Sequence, residues 1–169
     1  SDKMNDSYKE ILVKRQTPVG MRVLKGALIG LTVLSLVAGL LMWPLLIVGA
    51  ILIAVDYFVV PKFDVEYEYL YVNGELDIDA IYSRQKRKKM GTYDMAELEI
   101  LAPSDSHAID SYKNKQGVKI NDYTSLDPQV KSYLLVFNKE KGQEMIRVEL
   151  EDSIISDIRR IAPRKVNLY

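Results

Sequence analysis

The densest patch of like charge in the chain is basic: Arg84, Lys86, Arg87, Lys88 and Lys89 fall between positions 84 and 89. Cations so closely spaced attract anionic lipid headgroups, at about 1 kcal/mol for each one near a membrane surface. Their neighbours offer a competing use. Asp64, Glu66 and Glu68 alternate along one segment and Asp77 and Asp79 along the next, so each set projects from one face of an extended strand. Part of the basic run, lying beside those strands, neutralises that face, and the rest stays free in the turn. A calcium site is not expected from these acids, because ligands spread along strands do not close into a cage. A further carboxylate, Asp56, is the lone charge between Ala27 and Val60. A charge in so apolar a setting is costly and often functional. Two readings fit it: a structural pair with Lys25 or Arg22, or a station on a proton or ion path.

Composition excludes much other chemistry. The chain has no cysteine and one histidine, His107, which removes thiolate nucleophiles, disulfides, cysteine metal sites and histidine-centred triads. No phosphate-binding loop, nucleophile elbow or isolated acid–base pair is visible. The expectation is a protein that is not an enzyme, with no catalytic residues, no metal and no cofactor. Lys and Arg total 23 and Asp and Glu total 23, an even balance that argues against nucleic acid as a partner.

The elements that must position these groups come in two materials. One is the apolar run. As a single helix it would be ~50 Å long at ~1.5 Å per residue, against a hydrocarbon core ~30 Å thick. Divided at Trp43-Pro44 it makes two spans, about 18–41 and 44–60, with proline at the first turn of the second and tryptophan at the interface. Lys14, Arg15, Arg22 and Lys25 precede the first span, Lys62 and the 84–89 run follow the second, and the connecting turn is uncharged. That bias puts both termini in the cytoplasm. The expectation is a multi-pass protein of the cell membrane, with a cytoplasmic segment 1–17, a two-helix transmembrane hairpin over 18–61, and the lipid bilayer as its first partner. A cleaved signal peptide does not fit, because the run is too long and a second span follows at once. Thr17-Pro18 supplies an N-cap and a first-turn proline for the first helix. Gly26/Gly30, Ser35/Gly39 and Ala50/Ala54 are each spaced four apart, which lets helices approach closely in lipid. They serve packing inside the hairpin or contacts in a homo-oligomer.

The other material, residues 62–169, is charged and rich in tyrosine. Phe63, Val65, Tyr67, Tyr69 and Tyr71 alternate with acids, the period of a half-buried strand. Asn73-Gly74 then signals a two-residue hairpin turn. The register it sets pairs Tyr71 with Leu76, Tyr69 with Ile78 and Tyr67 with Ala80, apolar against apolar, and puts Glu68 opposite Asp79. Further strands are expected from the basic run, from Asp94–Ala102 as a short turn and a strand ending at Pro103, within Gly117–Asp127, and from 131–138 and 143–150 about the turn at Lys139-Glu140-Lys141-Gly142. Ser104 or Ser106 suits the cap of a brief helix containing His107. Asp152 suits the cap of a closing helix with Ile154, Ile155, Ile158 and Ile161 on one face, ended by Pro163. Tyr8–Val13 reads either as an interfacial helix or as an extra strand on the sheet's edge.

Roughly seven strands followed by one amphipathic helix resembles the pleckstrin-homology (PH) superfold. More closely, the chain resembles small bacterial membrane proteins of Firmicutes type, of unknown function, in which paired transmembrane helices lead into a PH-like domain. The stretch from Tyr69 to Leu101, YLYVNGELDIDAIYSRQKRKKMGTYDMAELEIL, carries the likeness, which extends over about Phe63–Ala162. The resemblance implies an α+β membrane protein: a transmembrane hairpin plus a PH-like antiparallel β-sandwich or barrel with a C-terminal helix. PH domains that bind inositol phosphates use basic residues around the first hairpin turn. Here the turn Asn73-Gly74 is short and uncharged, so that route is not expected. The leading expectation is a membrane-anchored adaptor that binds a protein partner. Beside it stand an anionic-lipid sensor acting through residues 84–89, and a small oligomeric transport subunit built around Asp56.

Overall fold

The computed structural model describes residues 8–115 and 117–169. Its first sheet has the order β1-β2-β3-β4, built from Tyr8–Lys14, Val65–Val72, Glu75–Tyr82 and Lys86–Asp94. Tyr8–Lys14 is therefore a strand. Ile11 and Val13, two apart along the strand, turn inward beside Tyr69 and Tyr67, their register partners on β2, while Leu12 between them stays exposed. The pairing is antiparallel from Tyr8↔Val72 to Lys14↔Glu66. The β domain thus draws on chain from both sides of the apolar segment, and a boundary at residue 62 leaves out its edge strand.

Between β1 and β2 the chain makes two apolar helices, α1 (Val19–Gly39) and α2 (Pro44–Val59), each joined to the domain by a few residues. Both are long and apolar enough to cross a membrane, α2 when counted with the 3₁₀ turn Val60–Phe63 that continues it. The break falls at Leu40–Trp43, and Pro44 opens α2, where its missing N–H leaves no bond unmade. Thr17 does not cap α1. Pro18 occupies the N-cap position, and Thr17 Oγ1 instead donates to the Phe63 carbonyl at 3.3 Å, tying the two ends of the hairpin together.

The expected β2–β3 register is observed at every pair, through the left-handed turn residues Asn73 and Gly74. β4 returns along β3, with a bulge at Met90 between the pairs Asp79↔Lys89 and Ile78↔Gly91. The second sheet has the order β5-β7-β8-β6, from Leu98–Pro103, Tyr133–Lys139, Gly142–Val148 and Ile120–Asp122, the last running parallel to β8. Ser106 accepts from the Ala108 N–H and caps a 3₁₀ turn that leads into α3 (Asp110–Lys113). Asp152 is the first residue of α4 (Asp152–Ile161) rather than its cap; Glu151 precedes it, without a side-chain cap bond.

The main core lies between the sheets and under α4. Tyr69, Tyr71, Leu76 and Ile78 meet Leu135, Phe137, Ile146 and Val148, and Ile154, Ile155 and Ile158 close the end. A smaller cluster, with Ala102, Leu134, Val136 and Met145, packs under Ile109 on the other face of the second sheet. That explains the unbroken apolar run of β7: with both faces covered, alternation is lost.

Candidate functional site at the foot of the apolar hairpin

The neck between hairpin and domain is a network of short bonds. Ser83 donates through Oγ to the Pro61 carbonyl at 3.0 Å and through its N–H to the Asp64 carbonyl at 2.8 Å. These bonds hold the β3–β4 turn against the foot of α2. They also offset its backbone strain, because Ser83 and Arg84 both stand at positive φ, 50° and 58°. The turn sits where the sequence puts its basic run, so cations and helix foot meet.

The five residues Arg84, Lys86, Arg87, Lys88 and Lys89 do not act as one patch. Arg87 reaches across the acidic outer face, with Nη1 2.8 Å from Asp79 and Nη2 2.9 Å from Glu68. It neutralises the like-charge pair that the β2–β3 register forces together. Arg84 stands at the tip, 75% exposed, with Nε 3.8 Å from Glu66. Lys89 borders the same acidic face. Lys86 and Lys88 alternate to the other side, where their register partners are the uncharged Tyr82 and Ala80. There they join Lys62, Tyr57, Phe58 and Tyr82 around a cleft of about 440 Å³. Among the described residues none of these three lysines has an ion pair. The sequence shows Lys62 as a flanking charge; only the neck geometry joins it to the other two.

Asp56 has a different partner from the one expected. Its Oδ2 lies 2.6 Å from Thr32 Oγ1 on α1. The same hydroxyl lies 2.9 Å from the Leu28 carbonyl, and its single proton serves one of these two acceptors at a time. Among the described residues neither Lys25 nor Arg22 forms an ion pair with it. Lys25 lies on the same helix face but a further two turns back, roughly 10 Å along the axis. The other oxygen, Oδ1, is buried and among the described residues has no hydrogen-bond partner.

The small residues divide too. Thr32, Ser35 and Gly39 are buried on α1 and Gly49 on α2. A Cβ on Gly39 would lie 2.5 Å from Leu46 Cδ2, and one on Gly49 2.6 Å from Leu36 Cδ2. Gly26 and Gly30 face open space, and Ala50 and Ala54 are exposed. Only Ser35/Gly39 of the three spaced pairs packs the hairpin, and Gly49 is an addition that pair spacing alone does not show.

Arg15 is the other residue whose role sequence reasoning misses. It reads as a flanking charge, yet its Nη2 donates to the Asp122 carbonyl at 2.6 Å and reaches the Asp122 carboxylate at 3.3 Å. The guanidinium also covers the Tyr67 ring at 5.0 Å, and Arg147 approaches the same carboxylate at 3.3 Å. Burial alone would raise the Asp122 carboxyl, but hydrogen bonds from Thr124 and the two guanidiniums outweigh it and hold it below the usual range. Burial raises the Tyr71 phenol, helped by its hydrogen bond to Asp157 on α4. These perturbed groups join one element to another.

A model of the bacterial PH-like domain family (DUF6106) matches residues 5–168. The chain belongs to that family. The match is wider than the 63–162 stretch on which the sequence likeness rests, and it takes in β1 and the hairpin. In this PH-like domain the connection from first to second strand is the hairpin itself, so Asn73-Gly74 is the second connection, not the first. Comparisons with curated proteins and with solved structures give no match.

Proposed function

We propose that the chain is a membrane-anchored, non-catalytic interaction module, whose hairpin crosses the cell membrane and whose PH-like domain recruits a protein in the cytoplasm. The observation that carries this reading is the pairing of β1 with β2 across the hairpin. One helix continues from each of two adjacent strands, so the domain is tethered twice at one edge. Such a mount holds the sheet close to the bilayer and restricts its tilt, which suits a platform. The perturbed side chains support a non-catalytic reading, since Asp122, Tyr71 and Asp157 are spent on bonds between elements.

Leu12 gives a place to test recruitment. It is 58% exposed on β1, which among the described residues pairs with a strand on one side only. A photo-crosslinking residue at Leu12, in the full chain in its own membranes, is expected to capture one protein reproducibly. The same residue at Val33, 53% exposed on α1, is expected to capture lipid. Crosslinks to lipid alone from both positions would overturn the adaptor reading.

A further inference from the structure

Lys62, Lys86 and Lys88 converge for reasons of backbone geometry. Lys86 and Lys88 are two apart on β4 and project to one side, and Lys62 lies in the 3₁₀ turn that ends α2. The cleft they share has Tyr57, Phe58 and Tyr82 as its ring-bearing walls, and among the described residues no carboxylate lines it. Arg87, which also borders it, has its charge taken up by Glu68 and Asp79. The result is cationic at the domain side and aromatic at the helix side.

We propose that this cleft binds the headgroup of an anionic phospholipid, with its phosphate among Lys62, Lys86 and Lys88 and its acyl chains along Tyr57 and Phe58. The assignment rests on the proposed insertion of the hairpin, and adds to it a specific ligand. A phosphate recognised by three lysines could belong to a lipid or to a soluble ester. The walls favour the lipid: Tyr57 is 72% and Phe58 63% exposed, and both rings continue the apolar surface of α2 out of the cleft. A soluble phosphate has no use for that surface, whereas an amphiphile covers it. The adjoining cleft, which shares Tyr57, Pro61, Tyr82 and Lys86, contains Asp56. Asp56 is not part of the lining that holds the three lysines, so the anion is placed on the side of Lys62 and Lys88.

The test uses the detergent-solubilised full chain, with retained lipid counted by native mass spectrometry against added phosphatidylglycerol or phosphatidylcholine. One phosphatidylglycerol is expected per chain, in preference to phosphatidylcholine. The triple variant Lys62→Ala, Lys86→Ala, Lys88→Ala is expected to bind it about a hundredfold more weakly, from the contribution of each basic residue near lipid. The triple Lys115→Ala, Lys119→Ala, Lys141→Ala removes the same charge from exposed sites elsewhere and is expected to bind normally. If the first triple does not fold, replacement of its three lysines by arginine is expected to fold and keep the lipid. Equal loss in both alanine triples, equal retention of phosphatidylcholine, or displacement of lipid by glycerol phosphate would each overturn the assignment. Alkaline carbonate extraction of the full chain from membranes separates these outcomes from failure of the insertion itself, because a chain that is not inserted is released.

Discussion

Lys14, the last residue of β1, pairs with Glu66 near the start of β2, and the whole apolar hairpin lies between them in the chain. The domain is therefore complete only when both sides of the hairpin are present. Residues 63–169 alone lack Val13, a core residue, and uncover Tyr67 and Tyr69 on an unpaired edge. Burying a valine side chain is worth about 1.5–3 kcal/mol, and a strand's ladder adds to that. The expected outcome is that residues 63–169 aggregate or melt without cooperativity. Residues 8–16 joined to 63–169 by a short Gly/Ser loop in place of the hairpin are expected to fold and melt cooperatively, as followed by circular dichroism. Equal melting of the two chains would show that β1 is dispensable.

Arg15 and Asp122 fasten the end of β1 to the second sheet, so Arg15→Ala is expected to destabilise the domain by about 1.5–3 kcal/mol, the range for hydrogen bonds to charged groups. Arg15→Lys is expected to recover only part, because an ammonium lacks the planar fork. The sign of the pH effect follows from the lowered Asp122 carboxyl. Its contribution is present above the unfolded value of about 3.9 and is lost as pH falls through the lower folded value. Denaturant titrations at neutral pH and near pH 3 are expected to show a steeper loss in the native sequence than in Asp122→Asn.

Within the hairpin, Gly39→Leu and Gly49→Leu are expected to cost about 1–3 kcal/mol by overpacking, since Leu46 and Leu36 already fill the space. Gly26→Leu and Gly30→Leu are expected to leave the single-chain hairpin unchanged, because nothing stands near either position. Thermal unfolding in detergent reads the difference. Any loss at Gly26 or Gly30 that depends on protein concentration would point instead to contacts between chains.

The Thr32–Asp56 bond gives a sharper test of what the buried carboxylate does. Thr32→Val removes the donor and is expected to destabilise the helix pair by about 1–3 kcal/mol, the cost of a buried group left unpaired. The double change Thr32→Val, Asp56→Leu removes both partners and is expected to recover most of that loss. A hairpin indifferent to both variants, together with a proton or ion flux abolished by Asp56→Asn, would favour the transport reading.

Much of the fold was legible because period-two alternation and a two-residue turn are local signals. Tyr67, Tyr69 and Tyr71 found their partners Ala80, Ile78 and Leu76 from sequence alone, and the break before Pro44 was equally plain. What was hidden is long-range. Nothing local distinguishes Tyr8–Lys14 as a strand of a sheet whose next member lies beyond two helices. For the same reason Arg15 read as a membrane-flanking charge, Thr17 as a cap, and the foot of α2 as separate from the basic turn. Alternation on β4 could have split Lys86 and Lys88 from Arg87, but only the strand's position beside the acidic face says which side each serves.

Which side of the membrane each turn occupies can be read by cysteine labelling, because the chain has no cysteine of its own. Single cysteines at Met42, in the turn between the helices, and at Lys141, in the β7–β8 turn, are labelled in intact cells with a membrane-impermeant maleimide, and again after lysis. Met42→Cys is expected to label from outside, and Lys141→Cys only once the membrane is opened. Labelling of Lys141→Cys in intact cells, or of both positions only after lysis, would contradict a hairpin that crosses the membrane and returns with its PH-like domain inside.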